Sequence, residues 1–110
     1  MHRPLRILMT NAVLTGRSGT ETLVRDTVLA LRRRGHSVTA FAPITGPAVA
    51  EIRATGSPVA TSLAALEAPD IIHGHHTGPT IAALTVVSKK VVQSLERADA
   101  SKGRVWACQV

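Results

Sequence analysis

Hydrophobic positions change their spacing twice within the first third of the chain. A short apolar run over Leu5–Thr10 predicts a buried β-strand. The polar segment Asn11–Gly19 contains two glycines and predicts a loop. Apolar residues then recur at helical spacing. They predict one buried helix face, formed by Leu23, Val24, Val28 and Leu31.

Signals at both ends define this helix better than any other element. Ser18 and Glu21 have the spacing of a capping box, in which each side chain accepts a hydrogen bond from an otherwise unpaired backbone N–H. Arg32–Arg34 fall in the last turn, where the helix dipole favours positive charge. Gly35 is placed to end the helix in a left-handed conformation.

Strands and helices continue to alternate along the rest of the chain. Further strands are predicted over His36–Ala42, Pro58–Ala60 and Asp70–His73. Further helices are predicted over Ala48–Thr55 and Pro79–Val87, the second with Ile81, Leu84 and Thr85 on its apolar side. Because right-handed crossovers place successive strands in one parallel sheet, this order predicts an α/β fold.

Composition agrees with this class. The chain has 110 residues, of which 45% are hydrophobic and 2% aromatic, so one small core must be built from aliphatic side chains. Buried parallel sheets have that character. Cys108 is the only cysteine, which excludes an internal disulfide and favours a reducing, cytoplasmic setting. No apolar segment fits a signal peptide or a membrane span.

The net charge of +6 has two interpretations. Basic residues at helix ends are usually solvated and promote solubility. They also attract phosphate groups, either on a nucleotide or on an anionic membrane surface, which would make the protein membrane-peripheral. Nucleic-acid binding is not expected, because acidic residues are interleaved and two aromatic residues make no stacking platform.

The first candidate for chemistry is the loop before the first helix. Ligands of open parallel sheets bind at the carboxyl ends of strands, and free N–H groups at a helix start favour an anion. Gly16 and Gly19 permit close backbone approach there. The loop contains neither G-x-G-x-x-G nor a Walker motif. Taken alone, it is equally well a plain connection.

The second candidate is the run His73-Gly74-His75-His76 after a predicted strand. Strand alternation puts His73 and His75 on one face. They would share a metal, pack as buried polar groups, or donate hydrogen bonds to hydroxyl or phosphate groups in a cleft. No Cys, Asp or Glu follows closely to complete a metal shell. The position at a strand end favours the cleft.

Taken together, these segments resemble the family-4-like glycosyltransferase N-terminal domain, one half of the two-domain GT-B enzymes. The resemblance covers about residues 5–85 and implies a Rossmann-like three-layer sandwich with a parallel sheet. It is carried by Arg6-Ile7-Leu8 leading to Thr10-Asn11, by Ser18-Gly19-Thr20-Glu21, by Arg33-Arg34-Gly35-His36-Ser37-Val38-Thr39, and by Pro69-Asp70-Ile71-Ile72-His73-Gly74-His75-His76.

The family transfers a sugar from a nucleotide diphosphate sugar, usually with retention and without a metal or other cofactor. The resemblance implies that Gly19, Ser18 and Gly16 bind the diphosphate of the sugar donor, although many relatives have a second glycine where Ser18 stands. It also implies that the acceptor side of the cleft is lined by His73, His75 and His76.

The chain departs from the family in two ways. Residues 86–110 form a divergent tail, in which Val87, Val91, Val92 and Leu95 predict a helix and Arg104–Val110 a short strand without the family's following histidine. The C-terminal domain that holds the nucleotide is absent, so we expect residues 1–85 to be a partial N-terminal domain, inactive alone.

Two alternatives remain at this stage. One is a non-catalytic binding module that pairs with a separate C-terminal half. The other is a basic membrane-surface binder that uses Arg32–Arg34 and Lys89-Lys90.

Overall fold

A computed structural model describes residues 4–16, 19–64, 66–76 and 78–86, together with the backbone of 106–109. In chain order its elements are β1 (Arg6–Thr10), β2 (Val13–Leu14), α1 (Gly19–Arg33), β3 (Ser37–Phe41), β4 (Ile44–Thr45), α2 (Ala48–Ala54), β5 (Val59–Ala60), β6 (Ile71–Gly74), α3 (78–86) and β7 (Trp106–Gln109).

Five strands form one parallel sheet in the order β5-β3-β1-β6-β7. At the carboxyl end of β1, Thr10 pairs with Phe41 of β3 and Gly74 of β6. The chain therefore builds outwards from β1 in one direction and then returns to build in the other. This is the strand order of a doubly wound fold, and the prediction of an α/β fold with a parallel sheet is confirmed.

Alternate residues of the strands contribute to two separate cores. Ile7 and Met9 of β1 face α1 and α2, whereas Leu8 faces the other side. The first core also contains Leu14, Val24, Val28, Val38, Ala40, Ala42, Val49 and Ile52. The second core contains Leu8, Phe41, Ile72 and Ala83 of α3. Helices thus cover both faces of the sheet, as in a Rossmann-like arrangement.

The buried stripe of α1 follows a spacing of three and four residues. Val24 and Val28 are fully buried, and Leu31 packs against the same core. Leu23 is 46% exposed, so its predicted place on the buried face is wrong. It lies one residue before Val24 and therefore about 100° around the helix from the stripe.

The carboxyl end of α1 closes as the sequence predicts. Gly35 has a φ of 91°, and its N–H donates to the Arg32 carbonyl while the His36 N–H donates to Leu31. This pair of bonds is a Schellman motif. Arg32 also donates through Nε to the Thr55 carbonyl at 2.9 Å, which ties α1 to the end of α2. One of the three consecutive arginines therefore has a structural contact.

Two short strands were not anticipated. β2 and β4 pair in parallel, with Val13 opposite Ile44 and Leu14 opposite Thr45. β2 lies inside the segment that the sequence predicts as a loop, and β4 lies outside every predicted strand. Runs of two residues are too short to show a periodicity. Their pairing joins the loop after β1 to the loop after β3.

The side of α3 that carries Ile81, Leu84 and Thr85 faces away from the sheet. Ile81 and Leu84 are 56% and 36% exposed, whereas Thr80 and Ala83 are buried against the sheet. The helix approaches the sheet through its small side chains, because Thr80 packs directly over Gly74. Hydrophobicity alone selects the larger residues and misses this close approach.

The tail contributes a strand to the sheet. The strand predicted over Arg104–Val110 is found at Trp106–Gln109 and pairs with β6. The predicted helix with Val87, Val91, Val92 and Leu95, and the pair Lys89-Lys90, lie outside the described residues. The domain boundary at residue 85 stays a prediction. Within the described part of the chain, no helix is both long and apolar enough to cross a membrane.

Replacing Gly35 by alanine should destabilise the fold by about 1–2 kcal/mol, because a Cβ is strained at a left-handed φ. Chemical denaturation of the variant measures this change. Gly78→Ala is the matched control, since its Cβ would meet no atom within 4 Å and its φ is not left-handed. Equal stability of the two variants would contradict the role given to Gly35.

Candidate functional site

The carboxyl ends of β1 and β6 bring the two predicted loops into contact. The His75 N–H donates to the Thr10 carbonyl at 2.9 Å, which extends the strand pairing by one residue. The Ala12 N–H donates to His76 Nδ1 at 3.1 Å. The loop after β1 and the histidine loop after β6 are therefore direct neighbours.

The chain leaves these two strands towards opposite faces of the sheet. From β1 it proceeds to α1 over the first core, and from β6 to α3 over the second. In doubly wound folds the loops separate at this switch point and leave a crevice in which ligands bind. The two predicted loops therefore lie at the switch point of the sheet.

Thr80 fixes the start of α3 at this edge. Its hydroxyl donates to the His76 carbonyl at 2.7 Å, and its Oγ1 lies 3.3 Å from Thr10 Oγ1. Because a hydroxyl has one hydrogen, Thr10 is the donor in the second bond. Both threonines are buried, so these bonds link β1 and α3 inside the protein.

Gly74 is required by this contact. The sequence places it in a loop, whereas it is the last residue of β6. A Cβ at this position would overlap Thr80 Oγ1 and would lie 2.7 Å from its Cγ2 and 2.9 Å from its Cβ. The glycine between the histidines thus serves close packing of helix on sheet.

The three histidines have different surroundings. His73 and His75 share a face as predicted, with ring centroids 5.1 Å apart and planes inclined by 19°. His75 is buried with 1% exposure, whereas His76 is exposed and has a left-handed φ of 68°. Their predicted role at the acceptor side of the cleft stays a prediction, and in this conformation His75 lies in the interior.

His75 is held neutral. Burial lowers its pKa below the ordinary value of 6.5, and the neighbouring His73 and His76 lower the pKa further by charge repulsion. Its Nε2 is fully buried and has no hydrogen-bond partner within the described part of the protein. A buried polar atom without a partner is costly, so this nitrogen calls for an explanation.

Asn11 is a residue that sequence reasoning missed as a functional candidate. It follows β1 directly and is fully buried, with its N–H donating to the Phe41 carbonyl at 3.0 Å. Its Nδ2 donates to the Val13 carbonyl at 2.7 Å, while Oδ1 has no partner in the described residues. The available signal was a polar amide immediately after a buried strand at the ligand-binding edge.

One backbone amide of the loop before α1 already has a partner within the protein. The Gly16 N–H donates to Glu21 Oε2 at 2.6 Å, and Glu21 is only 5% exposed. A carboxylate is favourable in the first turn of a helix because of the helix dipole. The Gly16 amide, predicted to approach a diphosphate, already has an anionic partner. Ser18, the other predicted capping residue, lies outside the described residues.

Neither Gly16 nor Gly19 is required by the fold. Neither has a left-handed φ, and a Cβ on either would meet no atom of the described residues within 4 Å. A cavity of about 110 Å³ adjoins Gly16 and is lined also by Pro47, Ala48 and Glu51. These glycines leave open space beside the start of α1.

Other features do not coincide with this edge. A cavity of about 270 Å³ lies at the opposite, amino-terminal ends of the strands, beside Arg6, Ser37 and Pro69. Its larger volume does not outweigh the polar groups gathered at the carboxyl edge. Among the described residues, no cluster of three or more His, Cys, Asp or Glu side chains is arranged to hold a metal.

The variant Gly74→Ala should lose about 1–3 kcal/mol of unfolding free energy, since the added methyl group overlaps Thr80. Urea denaturation gives the value, with Gly78→Ala again as the control for a glycine in open surroundings. If Gly74→Ala had the same urea denaturation midpoint as the wild-type protein, the contact between β6 and α3 would be looser than described.

Stability should also fall as the pH is lowered below about 6.5. The unfolded chain takes up a proton on His75 there, whereas the folded chain resists protonation until its lowered pKa is reached. The stabilisation is therefore complete above 6.5 and is lost on acidification. Denaturation midpoints at pH 7.5 and 5.5 measure the loss, which should be smaller in His75→Phe. An equal loss in both proteins would exclude His75 as its source.

Comparison with known proteins adds no family assignment to this geometry. No family model matches the chain, and no curated protein or solved structure is significantly similar to it. The functional argument therefore depends on the carboxyl edge of the sheet.

Proposed function

We propose that this chain is the front part of the N-terminal half of a retaining, nucleotide-sugar-dependent glycosyltransferase of the GT-B type. The single observation that carries the proposal is the joining of the loop after β1 to the histidine loop after β6 at the switch point. Two of the four segments that carry the resemblance, the one that contains Arg6–Asn11 and the one that contains Pro69–His76, adjoin each other there.

The start of α1 favours a diphosphate. The first N–H groups of a helix have no partner inside the helix and attract anions together with the helix dipole. Gly19 is the first residue of α1 and has open space where a side chain would stand. Because the Gly16 N–H is engaged by Glu21, we assign the closer approach to Gly19.

His76 supplies the donor expected of a cleft histidine. Its Nδ1 accepts a hydrogen bond from the Ala12 N–H, so in the neutral imidazole the hydrogen is on Nε2. The side chain is exposed, and Nε2 is thus able to donate to a hydroxyl or phosphate oxygen. His73 lies three residues earlier in the sequence, is half-buried and would bound the same crevice.

Catalysis in this class requires more than this half of the crevice. Charge develops on the departing diphosphate, and preorganised cationic groups must stabilise it in the transition state. In the proposed enzyme those groups belong to a second domain. An anionic membrane surface is less favoured as a partner, because Arg32 is engaged by the Thr55 carbonyl.

The purified 110-residue protein should bind UDP-glucose or GDP-mannose weakly and should not release UDP or GDP from either. ³¹P NMR of the two compounds measures binding, and a coupled assay measures release. Gly19→Ala should weaken binding at least threefold by placing a methyl group in the open space at the start of α1.

Gly78→Ala is the matched control, because it adds the same methyl group in open space at the start of α3. Equal binding by both variants would reject the diphosphate position, and turnover by the chain alone would reject the requirement for a second domain. Co-purification with a separate Rossmann-like protein would instead support the reading as a non-catalytic binding module.

A further inference from the structure

Two buried polar atoms without partners lie at adjacent positions of neighbouring strands. Thr10 pairs with Gly74, and the His75 N–H continues the pairing to the Thr10 carbonyl. Asn11 and His75 directly follow these two strands, at matching positions of the parallel pairing. Within the described residues, the side-chain atoms left without a partner there are Asn11 Oδ1 and His75 Nε2.

Both side chains project from the same face of the sheet. Odd-numbered Ile7 and Met9 of β1 belong to the first core, and alternation sends Asn11 in the same direction. Ile71 of β6 packs against that core too. His73 and His75 follow it at every second position, and their rings stack on each other. The side chains that carry the unpartnered oxygen and nitrogen are therefore on the same face of the sheet and at matching positions along the two strands.

The chemistry of the two atoms selects what lies between them. Asn11 Nδ2 donates to Val13, which fixes Oδ1 as the atom that needs a donor. His75 is buried with one hydrogen on its neutral ring. With that hydrogen on Nε2, a single hydroxyl oxygen accepts from the imidazole and donates to the amide. A phosphate oxygen has no hydrogen to give and satisfies only one of them.

We propose that Asn11 and His75 form a binding site for one hydroxyl oxygen, either a resident water molecule or a hydroxyl group of a sugar. A buried polar atom that stays unpaired destabilises the fold, so an occupant that pairs both atoms is stabilised at this position. The sugar source rests on the proposed function, whereas the water source does not.

NMR of the ¹⁵N-labelled 110-residue protein tests the site. In the first arm, water-to-protein magnetisation transfer should reach the Asn11 side-chain NH₂ and His75 Hε2 in the absence of ligand. In the second arm, UDP-glucose should shift these two signals. Either response supports the site and identifies its source. Silence of both signals in both arms would overturn it.

Variants separate the site from general effects on folding. His75→Phe should abolish the response at Asn11, while His75→Gln, which keeps an N–H donor, should retain at least half of it. Ser57→Ala is the control, since Ser57 Oγ is likewise buried without a partner in the described residues but lies between α2 and β5. It should leave both signals unchanged, and a matching loss would reject a local effect.

The two proposals fail in different ways. If ³¹P signals of UDP-glucose shift on binding but Asn11 and His75 respond to neither water nor sugar, the hydroxyl site is wrong and the diphosphate site stands. If water occupies the pair and UDP-glucose does not bind, the hydroxyl site stands and the glycosyltransferase proposal loses its ligand. His75→Gln keeps the first measurement usable if His75→Phe does not fold.

Discussion

The contact of Thr80 with Gly74 determines how the second half of the sheet is built. It lets α3 approach β6 closely enough for the Thr80 hydroxyl to bond both the His76 carbonyl and Thr10. The helix after β6 is thereby held on the face opposite to α1. The change of face creates the switch point, so the crevice proposed for a ligand depends on the absence of one Cβ.

Polar atoms are concentrated where the strands end, in contrast with the aliphatic cores on either side. Thr10, Asn11 and His75 are all buried at this edge, and two of them carry side-chain atoms that have no partner among the residues the structure describes. Folding alone does not favour such atoms, because each loses hydrogen bonds to water. Departures of this kind from a well-satisfied interior are expected where a protein meets a ligand, and they agree with the independent argument from topology.

The sequence was sufficient for the elements with strong local signals and insufficient where contacts between distant residues decide. The strand at Arg6–Thr10 and the helix end at Gly35 follow from an apolar run and a glycine with left-handed φ. The orientation of α3 depends on the contact of Thr80 with Gly74, a residue outside the helix, and the periodicity of the helix cannot contain that information. The two loops meet as parallel topology predicts, but the burial of His75 and the hydrogen bond from Gly16 to Glu21 depend on contacts that no sequence pattern indicates.

The small β2–β4 ladder has a mechanical consequence. It fastens the segment after β1 to the segment after β3, and the Gly46 N–H adds a bond to the Leu14 carbonyl at 2.9 Å. A Cβ on Gly46 would lie 3.1 Å from the Thr15 backbone, one residue before Gly16. Two stretches that are far apart in sequence are therefore held together beside Gly16. A side chain added at Gly46 would press on the Thr15 backbone and would disturb both stretches at once.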